Sequence, residues 1–301
     1  MSHASRHAPV LFGEVLFDEF TGPEGDVRSV LGGAPFNVAW HLAGFGVEPL
    51  FISRVGADAA GEHVRDAMVR HGMPLEGLQV DPVHPTGRVA VSLAAGEPSY
   101  DIVTDVAYDH IDPAGIETAI AGRQPALLYH GTLAARADAS RRALEALRRA
   151  LSAPIFVDVN LRAPWWDAAG VEALLRGSRW IKLNGDEQAT LGEGFRSPDA
   201  DGFRERLGAE ALILTHGADG AEWVGDAEAF RVQPRPVGEF QDAVGAGDAL
   251  AAVFILGRLR GWTPHQSLTR GVEFAAAICG RQGALVEEAA FYDAFSEKWM
   301  S

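Results

Sequence analysis

The sequence predicts an α/β chain built on a mostly parallel sheet with helices on both faces. Three observations carry that expectation. Short apolar runs recur from about residue 125 onward, stretches with helical character lie between them, and one earlier segment alternates apolar with polar residues instead. Continuous apolar strands belong to sheets covered on both faces, whereas alternation marks a sheet with one wet face. With 301 residues, 47% hydrophobic and 22% charged, the chain has the composition of a folded globular protein and the length for a sizeable core. No internal repeat, low-complexity tract or long linker divides it, so one domain spanning 1–301 is expected.

In chain order, Val15 to Phe20 and Val27 to Leu31 read as a strand pair around the turn-rich Thr21-Gly-Pro-Glu-Gly25. From Thr86 to Val103, Val89, Val91 and Leu93 alternate with Arg88, Ala90 and Ser92. Gly96-Glu-Pro98 marks a turn there, and Ser99 to Val103 alternates again. These segments, about 15–31 and 86–105, predict a small second sheet outside the main one, serving as a lid or an interface. Ala126 to His130 reads as a buried strand, followed by an amphipathic helix from Ala139 to Leu151 with Leu144, Leu147 and Leu151 on one stripe. Pro154 to Asp158, Trp180 to Leu183 and Ala211 to Thr215 are further short strands. The run Ala251 to Leu256, after a glycine loop, reads as a buried helix.

Charge and rare residues exclude several function classes. Subtracting 41 acidic from 26 basic residues gives a net charge of −15. That field argues against nucleic acid or an anionic membrane as partner, since both require a basic footprint. It does not oppose a nucleotide held by backbone amides and Mg²⁺. The single cysteine, Cys279, can form neither an internal disulfide nor a cysteine-based metal site and suggests a reducing compartment. With no secretion signal or membrane-length apolar run in the sequence, a cytoplasmic location is expected. Only Lys182 and Lys298 are lysines; neither stands in a Walker A loop or a Val-Ala-Ile-Lys strand, and no His-Arg-Asp triplet occurs. Two large phosphotransferase classes are thereby excluded.

Five loops then carry candidate chemistry. In Gln241-Asp-Ala-Val-Gly-Ala-Gly-Asp-Ala-Leu250, Gly245, Ala246 and Gly247 are small enough for a tight turn into the buried helix, whose free N–H groups would form an anion hole. Asp248, in the first helical turn, is placed to take a proton from an attacking hydroxyl; the plainer reading is a glycine turn with a capping Asp. Leu31-Gly-Gly-Ala-Pro-Phe-Asn-Val-Ala39 joins a Gly-Gly turn to a helix, with Asn37 either a cap or a donor and acceptor for a polyol. Asp18 reads as a turn residue or an acceptor for sugar hydroxyls. Asp158-Val-Asn-Leu-Arg162 and Lys182-Leu-Asn-Gly-Asp-Glu187 both follow strands and would emerge at the carboxyl edge of the sheet, where open parallel sheets bind ligands. Asn184 and Glu187, three apart, could hold Mg²⁺-bound water or form a capping box. Thr215-His-Gly-Ala-Asp-Gly220 suits a phosphate or an ordinary hairpin, and His130 and His216 lack metal-ligand spacing.

The ordered co-occurrence of Gly32-Gly-x-x-x-Asn37, Asn184-x-x-Glu187, Thr215-x-Gly-x-x-Gly220 and Gly245-Ala-Gly-Asp248 resembles the PfkB carbohydrate kinases, the ribokinase-like sugar kinases, from Gly13 to about Gly283. The resemblance implies a ribokinase-like αβα sandwich with a β-sheet lid, often used for dimerisation, and transfer of phosphate from ATP-Mg²⁺ to a sugar hydroxyl. It makes Asp248 the base and gives Gly245, Ala246 and Gly247 the anion hole. Asp18, Gly33 and Asn37 would bind the sugar, Arg162 would approach the transferred phosphate, and Arg88 and Tyr100 of the lid would shape the pocket. Lys182, Asn184 and Glu187 would serve the triphosphate and its metal; Thr215, Gly217 and Gly220 would line the nucleotide. Many members bind a monovalent cation such as K⁺ near the loop of Asp242, where Ala243 replaces the usual Thr. Phe36 stands where a smaller residue is frequent and could shape the sugar site. The Gly13-Glu-Val-Leu-Phe-Asp18 opening and Asp158-x-Asn-x-Arg162 resemble fructokinases most, so fructose is the expected substrate. A 2-keto-3-deoxygluconate kinase, a nucleoside kinase and a non-catalytic sugar or nucleotide sensor are the alternatives.

Overall fold

The computed structural model describes residues 7–21, 26–94, 97–197, 199–235 and 239–300, and for 92–94 and 97–100 the backbone alone. The strands are β1 (Val10–Phe12), β2 (Leu16–Thr21), β3 (Val27–Gly32), β4 (Leu50–Gly56), β5 (Leu78–Asp81), β6 (Gly87–Ala94), β7 (Glu97–Ile102), β8 (Leu128–His130), β9 (Ile155–Asp158), β10 (Trp180–Asn184), β11 (Ala211–Thr215), β12 (Ala221–Gly225) and β13 (Ala229–Val232). The helices are α1 (Ala34–Gly44), α2 (Ala59–Arg70), α3 (Pro113–Ile120), α4 (Asp138–Ala150), α5 (Ala168–Leu175), α6 (Gly185–Phe195), α7 (Ala200–Leu207), α8 (Ala246–Leu259), α9 (Pro264–Cys279) and α10 (Ala289–Met300).

Nine strands form the main sheet in the order β13-β12-β11-β10-β9-β8-β1-β4-β5, parallel throughout except for the antiparallel β11–β12 and β12–β13 pairs. Successive side chains on a strand point to opposite faces, so continuous apolar runs feed two cores. Leu11, Tyr129, Phe156, Trp180 and Ile213 pack under α1, α8, α9 and α10. Their neighbours Val10, Phe12 and Leu128 pack toward α3 and α4, and Val157, Ile181 and Leu212 toward α5, α6 and α7. The predicted covering of both faces is thus realised. Every residue of α8 from Asp248 to Gly257 is buried, as the apolar run requires.

The small sheet has the order β3-β2-β6-β7, with β2 antiparallel to β3 but parallel to β6. Both predicted strand pairs therefore join one lid. The turn within 22–25 lies outside the described residues. Of the second expected turn, Gly96 lies outside the described residues, whereas Glu97 and Pro98 belong to β7; Pro98 is tolerated there because β7 is an edge strand that need not donate at every position. The strand expected from Ala126 begins two residues later, at Leu128. Phe36, expected to shape the sugar site, lies in the core. It is fully buried, edge-on to Phe51 and tilted against Trp40.

Candidate active site

Parallel strands β1, β8, β9, β10 and β11 end along one edge, and register sets their terminal residues side by side. Lys182 pairs with Asp158, and Asn184 with Thr215. The N-terminus of α8 enters at this edge. Gly245 caps it with φ 79°, and a Cβ there would lie 2.4 Å from the Ala284 Cβ and 2.7 Å from its Cα, so only glycine fits. Of the amides in this turn, that of Ala246 already donates to the Ala243 carbonyl (3.2 Å). Among the described residues no acceptor takes the amides of Gly245, Gly247 or Asp248, so these three are open to an anion while that of Ala246 is engaged.

Asp248 is buried in the first turn of α8, and Asn37 Nδ2 donates to its Oδ2 at 2.7 Å. Burial pushes the carboxyl up to about 7, reinforced by the nearby Asp158 charge and opposed by the Asn37 bond and by Lys182. Lys182 Nζ donates to both Asp158 oxygens at 2.8 Å, and a Cβ on Gly247 would stand 3.1 Å from that ammonium. A buried ion pair therefore lies directly against the glycine turn. A carboxylate tuned toward neutrality beside unfilled amides can accept a hydroxyl proton while the amides hold an anion.

Asn37 reaches this point because α1 starts directly after lid strand β3. Gly33 between them has φ 113°, and a Cβ there would press to 2.7 Å from the Glu14 carbonyl. Asn37 is four residues inside the helix and does not cap it. Its Oδ1 is buried without a partner. A Cβ on Gly32 would sit 3.8 Å from that oxygen and 3.6 Å from Asp18 Oδ2, so Asp18, Asn37 and Asp248 surround one small region.

Sequence comparison decides the family: its profile, described as pfkB family carbohydrate kinase, matches residues 11–289. The chain belongs to the pfkB carbohydrate kinases. It is a phosphotransferase acting on sugar hydroxyls. A putative sugar kinase from Pyrococcus horikoshii is 28% identical over 265 residues, covering 82% of this chain and 81% of the relative. Aminoimidazole riboside kinase from Salmonella typhimurium is 29% identical over 282 residues (90% and 86%), and a fructokinase from Klebsiella pneumoniae 28% over 270 (85% and 84%). The crystal structure of fructokinase with bound ATP from Xylella fastidiosa matches with a TM-score of 0.81 at 21% identity, over 97% of this chain and 99% of that one; at that identity it shows the fold.

In this kinase the remaining expected site residues fall into two groups. Asp18 lies on β2, partly buried, with burial raising its carboxyl and Arg162 drawing it back down; Arg162 itself is exposed. Thr215, Gly217 and Gly220 form the β11–β12 connection, closed by His216 N–H donating to the Gly220 carbonyl (2.8 Å), at the same sheet edge. The others sit as follows. Arg88 pairs in register with Phe17, one residue from Asp18, so it faces away from Asp18. It lines instead a hollow of about 360 Å³ with Phe17, Glu19, Ser29 and His63. The Lys182 ammonium is buried and held by Asp158. Glu187 forms the capping box: its two oxygens accept from the amides of Asn184 (2.9 Å) and Leu161 (2.7 Å). Asp242 likewise binds the amides of Val244 and Gly283 and so clamps the α8 loop to the segment after α9. The Tyr100 backbone pairs with Val91, and its side chain lies outside the described residues.

Two buried acids beside Asp248 have no role assigned from the sequence. Asp158 pairs with Lys182, accepts from the Tyr129 hydroxyl (3.3 Å) and adds to the effect of burial in raising the Asp248 carboxyl. Glu14 follows β1, is buried with Oε2 unpartnered, and has its carboxyl raised by burial against the pull of Arg162 and Arg136. The available signal was a carboxylate inside the apolar Val10 to Phe17 stretch, where an unpaired charge is costly.

Proposed function

We propose that this kinase transfers the γ-phosphoryl group of ATP to fructose, giving fructose 6-phosphate, with Asp248 as the base. The Asp248–Asn37 contact at the unfilled N-terminus of α8 carries this reading. The C6 hydroxyl gives its proton to the Asp248 carboxylate as its oxygen attacks the γ-phosphorus in line. The bond to the β-γ bridging oxygen breaks and ADP leaves. The amides of Gly245, Gly247 and Asp248 would hold the negative charge of the moving group. Asp18 and the unpaired Asn37 Oδ1 offer acceptors for sugar hydroxyls, and Arg162 offers the cation for the transferred phosphate.

The donor set fits hydrated Mg²⁺ rather than a directly ligated ion. Asn184 Oδ1 and both Glu187 oxygens already accept backbone amides, which leaves them lone pairs for metal-bound water. Bound there, Mg²⁺ would neutralise phosphate charge. Thr215, Gly217 and Gly220 are the nucleotide contacts in this reading. Lys182 serves from below, as a charge under the glycine turn. Val27, exposed at the end of lid strand β3, supports a homodimer formed through the lid, to be checked by sedimentation.

Release of ADP over a panel of fructose, 2-keto-3-deoxygluconate, 5-dehydro-2-deoxygluconate and nucleosides tests the assignment. Fructose is expected to give the highest kcat/KM. Preference for another panel member overturns the substrate. Silence on all of them, together with ligand-induced thermal shifts, would make the chain a sensor.

A further inference from the structure

Away from the cleft, at the base of the lid, His84, Asp105 and His110 bring one ligand atom each within 4.8 Å of one another. His84 lies in the link from β5 to β6, whereas Asp105 and His110 follow β7. The cluster therefore joins the two roots of the β6–β7 hairpin. His110 Nε2 stands 2.8 Å and His84 Nε2 3.6 Å from the same oxygen, Asp105 Oδ1. Asp105 presents it from a left-handed backbone, φ 57°. The other nitrogen of His84, Nδ1, meets Asp81 Oδ2 at 3.0 Å. Asp81 is almost fully buried and fixed by Arg54 and by the amides of Val83 and His84.

That arrangement poses a chemical problem. A neutral imidazole has one N–H, yet His84 meets an acceptor-only carboxylate at each nitrogen. If Nδ1–H donates to Asp81, the Nε2 lone pair points at Asp105, and a cation between them removes the conflict. Asp81 then performs the outer-shell task common at metal sites, fixing the tautomer and aiming Nε2. Arg54 neutralises Asp81 and its Nη1 also donates to the His110 carbonyl (2.6 Å), which holds the second histidine in place. The side chains of His84 and His110 are 25% and 33% exposed and that of Asp105 78%, so an ion can enter from solvent.

We infer that His84, His110 and Asp105 form a site for a borderline divalent transition ion of the zinc class, which staples the two roots of the lid hairpin together. Two imidazoles and one carboxylate are the donors such ions favour and an open fourth position would hold water, whereas Mg²⁺ and Ca²⁺ select all-oxygen sets. The imidazoles are stacked at 3.7 Å with planes 12° apart, so binding requires them to fan open until both Nε2 lone pairs meet one ion.

Co²⁺ titration of the full-length protein without an affinity tag, in millimolar Mg²⁺, tests the site. One equivalent should give the intense visible bands of low-coordinate cobalt, and Zn²⁺ should abolish them. His84→Ala and His110→Ala should each weaken the tight phase at least tenfold, while His265→Ala leaves it unchanged. Bands that persist in both cluster variants, or no stoichiometric binding, overturn the inference and leave a proton as the cation between His84 and Asp105. Should either variant misfold, ¹⁵N-imidazole spectra of the unmodified protein decide. One equivalent of Zn²⁺ should shift two of the ten histidines in slow exchange, and unmoved imidazoles refute the site.

Discussion

Replacing Asp248 by Asn separates the chemistry of the site from its cost to the fold. The carboxyl rises from 3.8 to about 7 in the folded protein, chiefly through burial and then through repulsion by Asp158. In the unfolded chain it ionises at its ordinary value. As pH climbs from about 4 to 7, the unfolded state releases this proton while the folded state retains it, so the wild type loses stability relative to Asp248→Asn. Above pH 7 the difference is constant. The rise corresponds to ~4 kcal/mol at about 1.36 kcal/mol per pH unit, an upper figure because water in the cleft screens part of it. The asparagine retains a carbonyl oxygen for Asn37 Nδ2. Urea unfolding followed by tryptophan fluorescence, without nucleotide, should therefore find the variant more stable at pH 8 and the two proteins converging near pH 4. Phosphoryl transfer should fall by roughly 10²–10⁴ in the same variant. A variant no more stable than wild type at pH 8 would refute the electrostatic reasoning, and one with full turnover would refute the base.

Because a base must be ionised, kcat/KM should decline tenfold per pH unit below about 7, and this limb should vanish from the residual rate of Asp248→Asn. Gly245→Ala combines a left-handed backbone with a Cβ 2.4 Å from Ala284; a loss of about 1–3 kcal/mol by denaturant titration is expected, with kcat reduced as the amides shift. Lys182→Met leaves Asp158 buried and unpaired, which should cost about 3–5 kcal/mol. Adding Asp158→Asn should recover part of that loss in a double-mutant cycle.

The two-faced burial of the main sheet was legible because its strands are apolar at consecutive positions, such as Tyr129 with Leu128 and Ile181 with Trp180. The lid was legible through its alternation. The faces of the lid were not, because period two separates Arg88 from Val89 without saying which of them shares a face with Asp18. Only the β2–β6 register settles that. Loops after strands located the cleft, since side chains at the carboxyl ends of parallel strands converge whatever their sequence separation. The Lys182–Asp158 pair stayed hidden for a related reason: its partners stand 24 residues apart and meet only because β9 and β10 are neighbours. The local Asn184–Glu187 capping box, by contrast, could be read as one of two alternatives from spacing alone.

The junction of β3 with α1 has a mechanical corollary. One glycine separates the lid strand from the helix whose Asn37 grips the Asp248 carboxyl at 2.7 Å. Lid and carboxyl thus share a lever with a very short arm. A swing of β3 large enough to part Asn37 from Asp248 would remove a donor that favours the ionised form, so the carboxyl would hold its proton more firmly. The same swing would admit water and lessen the burial that is the larger cause of the raised value, so the lid bears on this carboxyl through two opposed effects.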